Sequence, residues 1–173
     1  TDIAKKEIEA LKVNNAVILA AGGGDISSKS VYNMPKGLFM KNGETLIERQ
    51  IRQLKEAGIE EITVVLGYKQ ELYFYLTDKW GVNIEINPDL KKNNIYSLYI
   101  ARNHLSSTYI LNCDNYFEEN PFSLYEYKAF HATVYKEDAR NELVVEKNRS
   151  GRILNVHSCA KSGECIYGHA YVN

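Results

Sequence analysis

Residues Ala16 to Leu19 form an unbroken apolar run that opens directly into Ala20-Ala21-Gly22-Gly23-Gly24. A strand with one wet face alternates apolar and polar residues, whereas an unbroken run suits a strand covered on both faces, as in a parallel sheet. Apolar-rich stretches return at Ile62–Leu66 and Tyr109–Cys113, and Val82–Ile86, ahead of Asn87-Pro88, reads as a further strand. Between them lie helical stripes. Leu46, Ile47, Ile51, Leu54 and Ala57 are closed by Gly58, and Leu72, Leu76 and Trp80 by Gly81; Ser97 to Leu105 reads as a third helix. Parallel strands need long crossovers, so this alternation predicts an α/β, Rossmann-like chain with a mostly parallel central sheet. From Phe130 on, short strands broken at Asn148–Gly151 and Lys161–Gly163 predict a β-rich, antiparallel C-terminal half. The organisation expected is one domain over 13–173, with residues 1–12 as the tail of an upstream region.

Ligands of open parallel sheets gather at the carboxyl ends of the strands. The first strand delivers the glycine loop, where a bare backbone can touch a ligand, and the second delivers Gly67-Tyr68-Lys69. The strand ending at Cys113 delivers Asp114-Asn115-Tyr116. Beyond the glycines comes Pro35-Lys36-Gly37, a stiffened backbone carrying a point charge suited to phosphate oxygens. Asp114 is placed to hold magnesium, which favours one or two carboxylates together with phosphate oxygens and water. A glycine cluster is also ordinary turn punctuation, and an aspartate beside Asn115 also suits a turn cap. The combination with Lys36 favours a nucleotide phosphate seat. Neither a G-x-G-x-x-G opening into a helix nor a G-x-x-x-x-G-K-[ST] loop is present, so the dinucleotide and Walker-type readings fail.

Composition excludes more than it selects. With 173 residues, 45% hydrophobic and a net charge of -1, the chain carries no electrostatic footprint for nucleic acid and no apolar stretch of membrane-spanning length. Cys113, Cys159 and Cys165 make an odd number without a C-x-x-C pair, which fits a reducing, cytoplasmic setting. Cys159 and Cys165 with His157 and His169 match no common zinc spacing and are read as strand residues.

The residues Leu19-Ala20-Ala21-Gly22, Pro35-Lys36-Gly37, Leu46-Ile47-Glu48-Arg49-Gln50, Val65-Leu66-Gly67-Tyr68, Asn93-Asn94-Ile95-Tyr96-Ser97-Leu98 and Asp114-Asn115-Tyr116 give the chain a resemblance to a known family. It resembles the nucleotidyltransferases of the sugar-phosphate type, most nearly the bacterial choline-phosphate cytidylyltransferases, over Val13 to Asn173. The resemblance implies a GT-A-type nucleotide-diphospho-sugar transferase fold and displacement of pyrophosphate from a nucleoside triphosphate, such as CTP, by phosphocholine or a similar small phospho-alcohol. It implies that Leu19, Ala20, Ala21, Gly22, Gly23, Gly24, Lys36, Gly67, Asn94 and Ser97 line the nucleotide, that Lys36 and Asp114 are catalytic, and that Asp114 and Asn173 hold Mg2+.

Thirteen tyrosines are many for this length. Tyr116, Tyr135, Tyr167 and Tyr171 are candidates to face a quaternary ammonium, while tyrosine on strands is also ordinary packing. Lys136 and Glu142 are assigned to the acceptor's phosphate and amine. The sequence departs from the family where Ile26 stands in place of a loop arginine, with Lys29 nearby, and where Leu143 rather than tryptophan follows Asn141-Glu142. It also stops at the Asn173 strand, where relatives continue, and so reads as truncated at its C-terminus. Two alternatives therefore stay open: a nucleotide-binding relative with impaired catalysis, and a sugar-1-phosphate nucleotidyltransferase.

Overall fold

A computed structural model of the protein describes residues 2–22, 34–89, 94–158 and 161–173. The chain divides into two compact units, residues 1–129 with 171–173, and residues 130–170.

In the first unit β1 (Asn15–Ala20) lies between β4 (Glu61–Leu66) and β6 (Thr108–Asn112), with β5 (Asn83–Ile86) outside β4, and all four are parallel. The apolar runs are strands because both their faces are covered: Ala16, Val17, Ile18, Val64, Val65 and Leu66 have no exposed surface. One core cluster joins Val17, Leu19, Ala21, Val65 and Ala101, with Leu98, Leu105 and Ile110 packed against it. The chain builds outward from β1 to β4 and β5, then reverses to the other side of β1 for β6. That reversal leaves a crevice at the carboxyl ends of β1 and β6, the place where such sheets receive ligands.

Helix α1 (Asp2–Glu9) has no buried residue, and the segment after it is tied to residues 124–126 by hydrogen bonds from Val13 N to Leu124 O and from Glu126 N to Leu11 O. Helix α2 (Leu46–Glu56) carries the expected stripe, with Ile47, Ile51 and Leu54 fully buried. Thr45 caps it: its hydroxyl accepts from Glu48 N at 3.3 Å and donates to Glu48 Oε2 at 2.9 Å, a variant of the capping box. Gly58 and Gly81 follow their helices in left-handed conformations, φ +87° and +66°, where a side chain would be strained.

Some boundaries differ from those expected. The stripe over Leu72–Trp80 is a 3-10 turn (Gln70–Tyr73) followed by the short α3 (Tyr75–Trp80). The third helix begins earlier, as α4 (Asn94–Ile100), and continues as a 3-10 turn through His104. A small hairpin, β2 (Met40–Lys41) and β3 (Glu44–Thr45), precedes α2, its tip at Asn42 and Gly43 with φ of 54° and 86°.

The second unit is antiparallel, as expected: β8 (Leu143–Lys147) pairs with β9 (Ile153–Ser158) and with β10 (Gly163–Val172), and β7 (Phe130–Lys136) also pairs with β10. Among the described residues no helix is long and apolar enough to cross a membrane.

Replacing the α2 cap, Thr45→Ala, should destabilise the protein by about 0.5–2 kcal/mol, read from urea denaturation midpoints. A change within about 0.2 kcal/mol would mean that the cap does not hold the helix start.

Candidate functional site

Two segments far apart in sequence meet at the crevice. Pro35 sets up a 3-10 turn over Lys36–Leu38, closed by Leu38 N to Pro35 O and Phe39 N to Lys36 O, both at 3.0 Å. Lys36 Nζ then donates to Asp114 Oδ2 at 3.4 Å. The lysine side chain is 59% exposed and the aspartate 39%, so the pair is worth only about 0–1 kcal/mol and yields easily to a stronger partner. A cleft of about 240 Å³ lies here, lined by Leu19 in β1 and Gly22 behind it, by Lys36, by Asn94 on α4, by Asn112 at the end of β6, and by Cys113 and Asp114 behind it.

The approach depends on Gly37. A Cβ placed there would lie 3.0 Å from the Tyr73 hydroxyl and 3.1 Å from both Cβ and Sγ of Cys113, tight enough that these neighbours would have to give by a few tenths of an ångström. Gly37 therefore lets the lysine turn rest on the residue just before Asp114. Burial pushes the Cys113 thiol up to about 12, with the Asp114 charge adding to it and the Gly37 backbone and Lys36 opposing. The thiol is therefore held in its neutral form at physiological pH.

The loop behind β6 is held from the side by α2. Gln50 Nε2 donates to Asn112 O at 2.9 Å and to Asn115 O at 2.8 Å. Arg49 reaches Phe117 O through Nε at 2.8 Å and Glu118 O through Nη2 at 2.7 Å, and Gln53 Nε2 donates to Phe117 O at 3.1 Å. The β2–β3 hairpin adds another hold, since Asn42 Nδ2 donates to the Tyr116 hydroxyl at 3.1 Å. Sequence reasoning gave Arg49, Gln50, Gln53 and Asn42 no role. The signals were there: Gln50 and Gln53 are amides set among the apolar positions of a buried helix, and Asn42-Gly43 is a strong hairpin turn pair.

Of the nucleotide candidates, Leu19, Gly22, Lys36 and Asn94 share the cleft. Asn94 Nδ2 donates to Asn112 Oδ1 at 3.2 Å. Ala20 and Ala21 lie beside them, 2% and 6% exposed, and Ala21 O accepts from Tyr68 N at 3.3 Å, which joins the loops behind β1 and β4 near Gly67. Ser97 faces inward: it is 2% exposed and its hydroxyl accepts from Asn87 Nδ2 at 3.0 Å. Gly23, Gly24, Ile26 and Lys29 lie outside the described residues, as does Cys159.

The acceptor candidates fall into separate groups. Lys41 Nζ and Arg49 Cζ lie 3.6 and 4.6 Å from the centre of the Tyr116 ring, so its π-system already serves two cations of this chain. Tyr171 is a core ring, 1% exposed and 5.6 Å from the Tyr109 ring centre. In the second unit, Lys136 pairs with Glu142 at 2.5 Å and lies 5.5 Å from the centre of the Tyr167 ring, while Tyr135 is largely exposed. Glu142 also lines a hollow with Asp138, Arg140 and Asn141. Asn173 is exposed behind β10. Among the described residues no group of three or more His, Cys, Asp or Glu side chains is placed to hold a metal ion.

Residues 16–157 match the protein family described as the MobA-like NTP transferase domain. The chain is 34% identical to the choline-phosphate cytidylyltransferase of Streptococcus pneumoniae over 90% of its own length and 69% of that protein. It is 28% identical to the choline-phosphate cytidylyltransferase of Haemophilus influenzae over 82% of this chain, which spans only 61% of that relative. The solved structure of the Streptococcus pneumoniae CTP:phosphocholine cytidylyltransferase superimposes with a TM-score of 0.83 over 91% of this chain and 69% of that one. The mixed α/β architecture with its largely parallel sheet is thus the nucleotide-diphospho-sugar transferase fold.

Gly37→Ala should destabilise the protein by about 1–3 kcal/mol through overpacking against Cys113 and Tyr73, measured by urea denaturation. A variant as stable as the parent would show that the lysine turn does not need this close approach.

Proposed function

The chain belongs to the MobA-like NTP transferase domain family, and from that premise we propose that it transfers CMP from CTP to phosphocholine, or to a similar small phospho-alcohol, with release of pyrophosphate. The observation that carries the reading is the convergence of Lys36 and Asp114 in one cleft at the sheet reversal. A phosphate that attacks the α-phosphorus and displaces pyrophosphate needs orientation and charge neutralisation rather than a side-chain nucleophile. The cleft supplies those means: bare backbone behind β1, a mobile ammonium at Lys36, a carboxylate at Asp114, and a thiol too weakly acidic to compete.

The donor chemistry suits magnesium. Asp114 offers a hard carboxylate oxygen that borders the cleft and is only loosely engaged by Lys36, and Asn173 is the second candidate, as a hard amide oxygen. When bound, the ion neutralises phosphate charge and stabilises the leaving pyrophosphate. Lys36 would hold the phosphate oxygens, and Asn94 and the Leu19–Gly22 backbone would orient the nucleotide. Lys136 and Glu142 are assigned to the acceptor's phosphate and amine, and Tyr116 to holding the Asp114 loop.

Incubation with CTP, phosphocholine and magnesium should release pyrophosphate, followed in a coupled assay. Lys36→Ala and Asp114→Ala should each lower the rate by about 100-fold or more, the scale of losing one charge-stabilising contact. Tight CTP binding by calorimetry without turnover on any phospho-alcohol or sugar 1-phosphate would reject a transferase in favour of a nucleotide-binding protein. Turnover confined to sugar 1-phosphates would instead reject the choline-type acceptor.

A further inference from the structure

We propose that Gln50 is a positioning residue for Asp114, acting through the main chain on both sides of it. The inference rests on Asp114 being the metal-binding carboxylate proposed above. Gln50 is fully buried on α2, between Ile47 and Ile51, which also have no exposed surface. Its Nε2 donates to Asn112 O and Asn115 O, the carbonyls that bracket Cys113 and Asp114. Asn112 O also accepts from Asn115 N at 3.3 Å and Asn115 Nδ2 at 3.2 Å, which closes the turn on itself. A turn held at one end can rotate about that point. Held at both ends by one nitrogen on a rigid helix, it fixes the direction in which the Asp114 side chain leaves the backbone.

The other half of the amide makes the same point. Gln50 Oε1 is buried and has no hydrogen-bond partner among the described residues. A buried unpaired acceptor is costly, and an apolar side chain of the same length would fill the space without that cost. The arrangement gives up the acceptor to aim both donor hydrogens at the turn. Groups that orient a metal ligand without touching the metal commonly affect affinity by about 10–100-fold.

The test uses Gln50→Met, close in length and without the donor, and Gln50→Glu, which keeps the shape but replaces the donor with oxygen. Gln53→Met is the control, since it removes a comparable α2 donor that reaches Phe117 O instead. Binding of Mn2+ in the presence of CTP is followed by electron paramagnetic resonance, and amide hydrogen exchange over residues 112–118 reports on the loop without any metal. Melting temperatures identify the variants that fold. Loss of about 10-fold or more in Mn2+ affinity and faster exchange at 112–118 in a folded Gln50 variant, with Gln53→Met near the parent affinity, is the expected result. Parent-like Mn2+ affinity in the folded Gln50 variants, while Asp114→Ala loses it, overturns the role of Gln50 alone. Equal losses in Gln53→Met and Gln50→Met also overturn it, because the effect would then be general to α2. Parent-like affinity in Asp114→Ala removes the Asp114 reading itself, and the proposal with it.

Discussion

The parallel pairing of β1 with β6 is the constraint from which the site follows. Leu19 stands opposite Asn112, and Cys113 N continues the ladder by donating to Leu19 O at 3.1 Å. The chains leaving these two strands therefore emerge side by side, and Gly22 and Asp114 border the same cleft without any long loop to bring them together. A strand order that placed β6 elsewhere would separate them whatever their chemistry. Once the two ends are adjacent, the exposed carbonyls of the departing β6 chain need donors, and α2 supplies them from Arg49, Gln50 and Gln53.

Helix α2 can serve as a fixed support because it is itself anchored at its start. Glu44 accepts from Arg49 at 2.8 Å and from Arg52 at 2.7 Å, and hydrogen bonds from these arginines, Arg52 foremost, hold its carboxyl below the usual range despite some burial. Burial raises the Glu48 carboxyl, but hydrogen bonds from Lys79, Thr45 and Trp80 outweigh that and leave it lowered. The Glu44 and Glu48 contacts at the start of α2 are partly buried and each carboxylate has several partners, whereas the Lys36–Asp114 pair is single and half exposed. The loop behind β6 is thus held by a well-anchored helix, and the two charges of the cleft by one weak contact.

The strands that form the sheet were legible because burial on both faces leaves a mark in one stretch of sequence: an apolar run has few alternatives once it is bounded by glycine. The helix ends were less so. Gln70 to Trp80 splits into a 3-10 turn and a short helix, a distinction that apolar spacing alone does not encode. In the cleft, Asp114 could be singled out because a carboxylate just behind a buried strand has few structural uses, and Lys36 because a proline stiffens the backbone before it; their contact at 3.4 Å is visible only in the coordinates. Tyr171 and Tyr116 were harder to read for the opposite reason. A tyrosine packs, donates or faces a cation with the same side chain, and only coordinates distinguish a core ring beside Tyr109 from one serving Lys41 and Arg49. Gln50 went unassigned since its partners are carbonyls, which every residue possesses and no sequence pattern displays.

The loose tie between Lys36 and Asp114 carries one more consequence. Each group occupies the other's charge in the free protein, so whatever engages the carboxylate leaves the ammonium ready for an anion, and whatever draws off the ammonium bares the carboxylate for a cation. Thermodynamic linkage makes that help mutual and equal in size. On the proposed reading, with nucleotide phosphate as the anion and the metal ion as the cation, that one ion pair couples their arrival by no more than its own strength, about 0–1 kcal/mol.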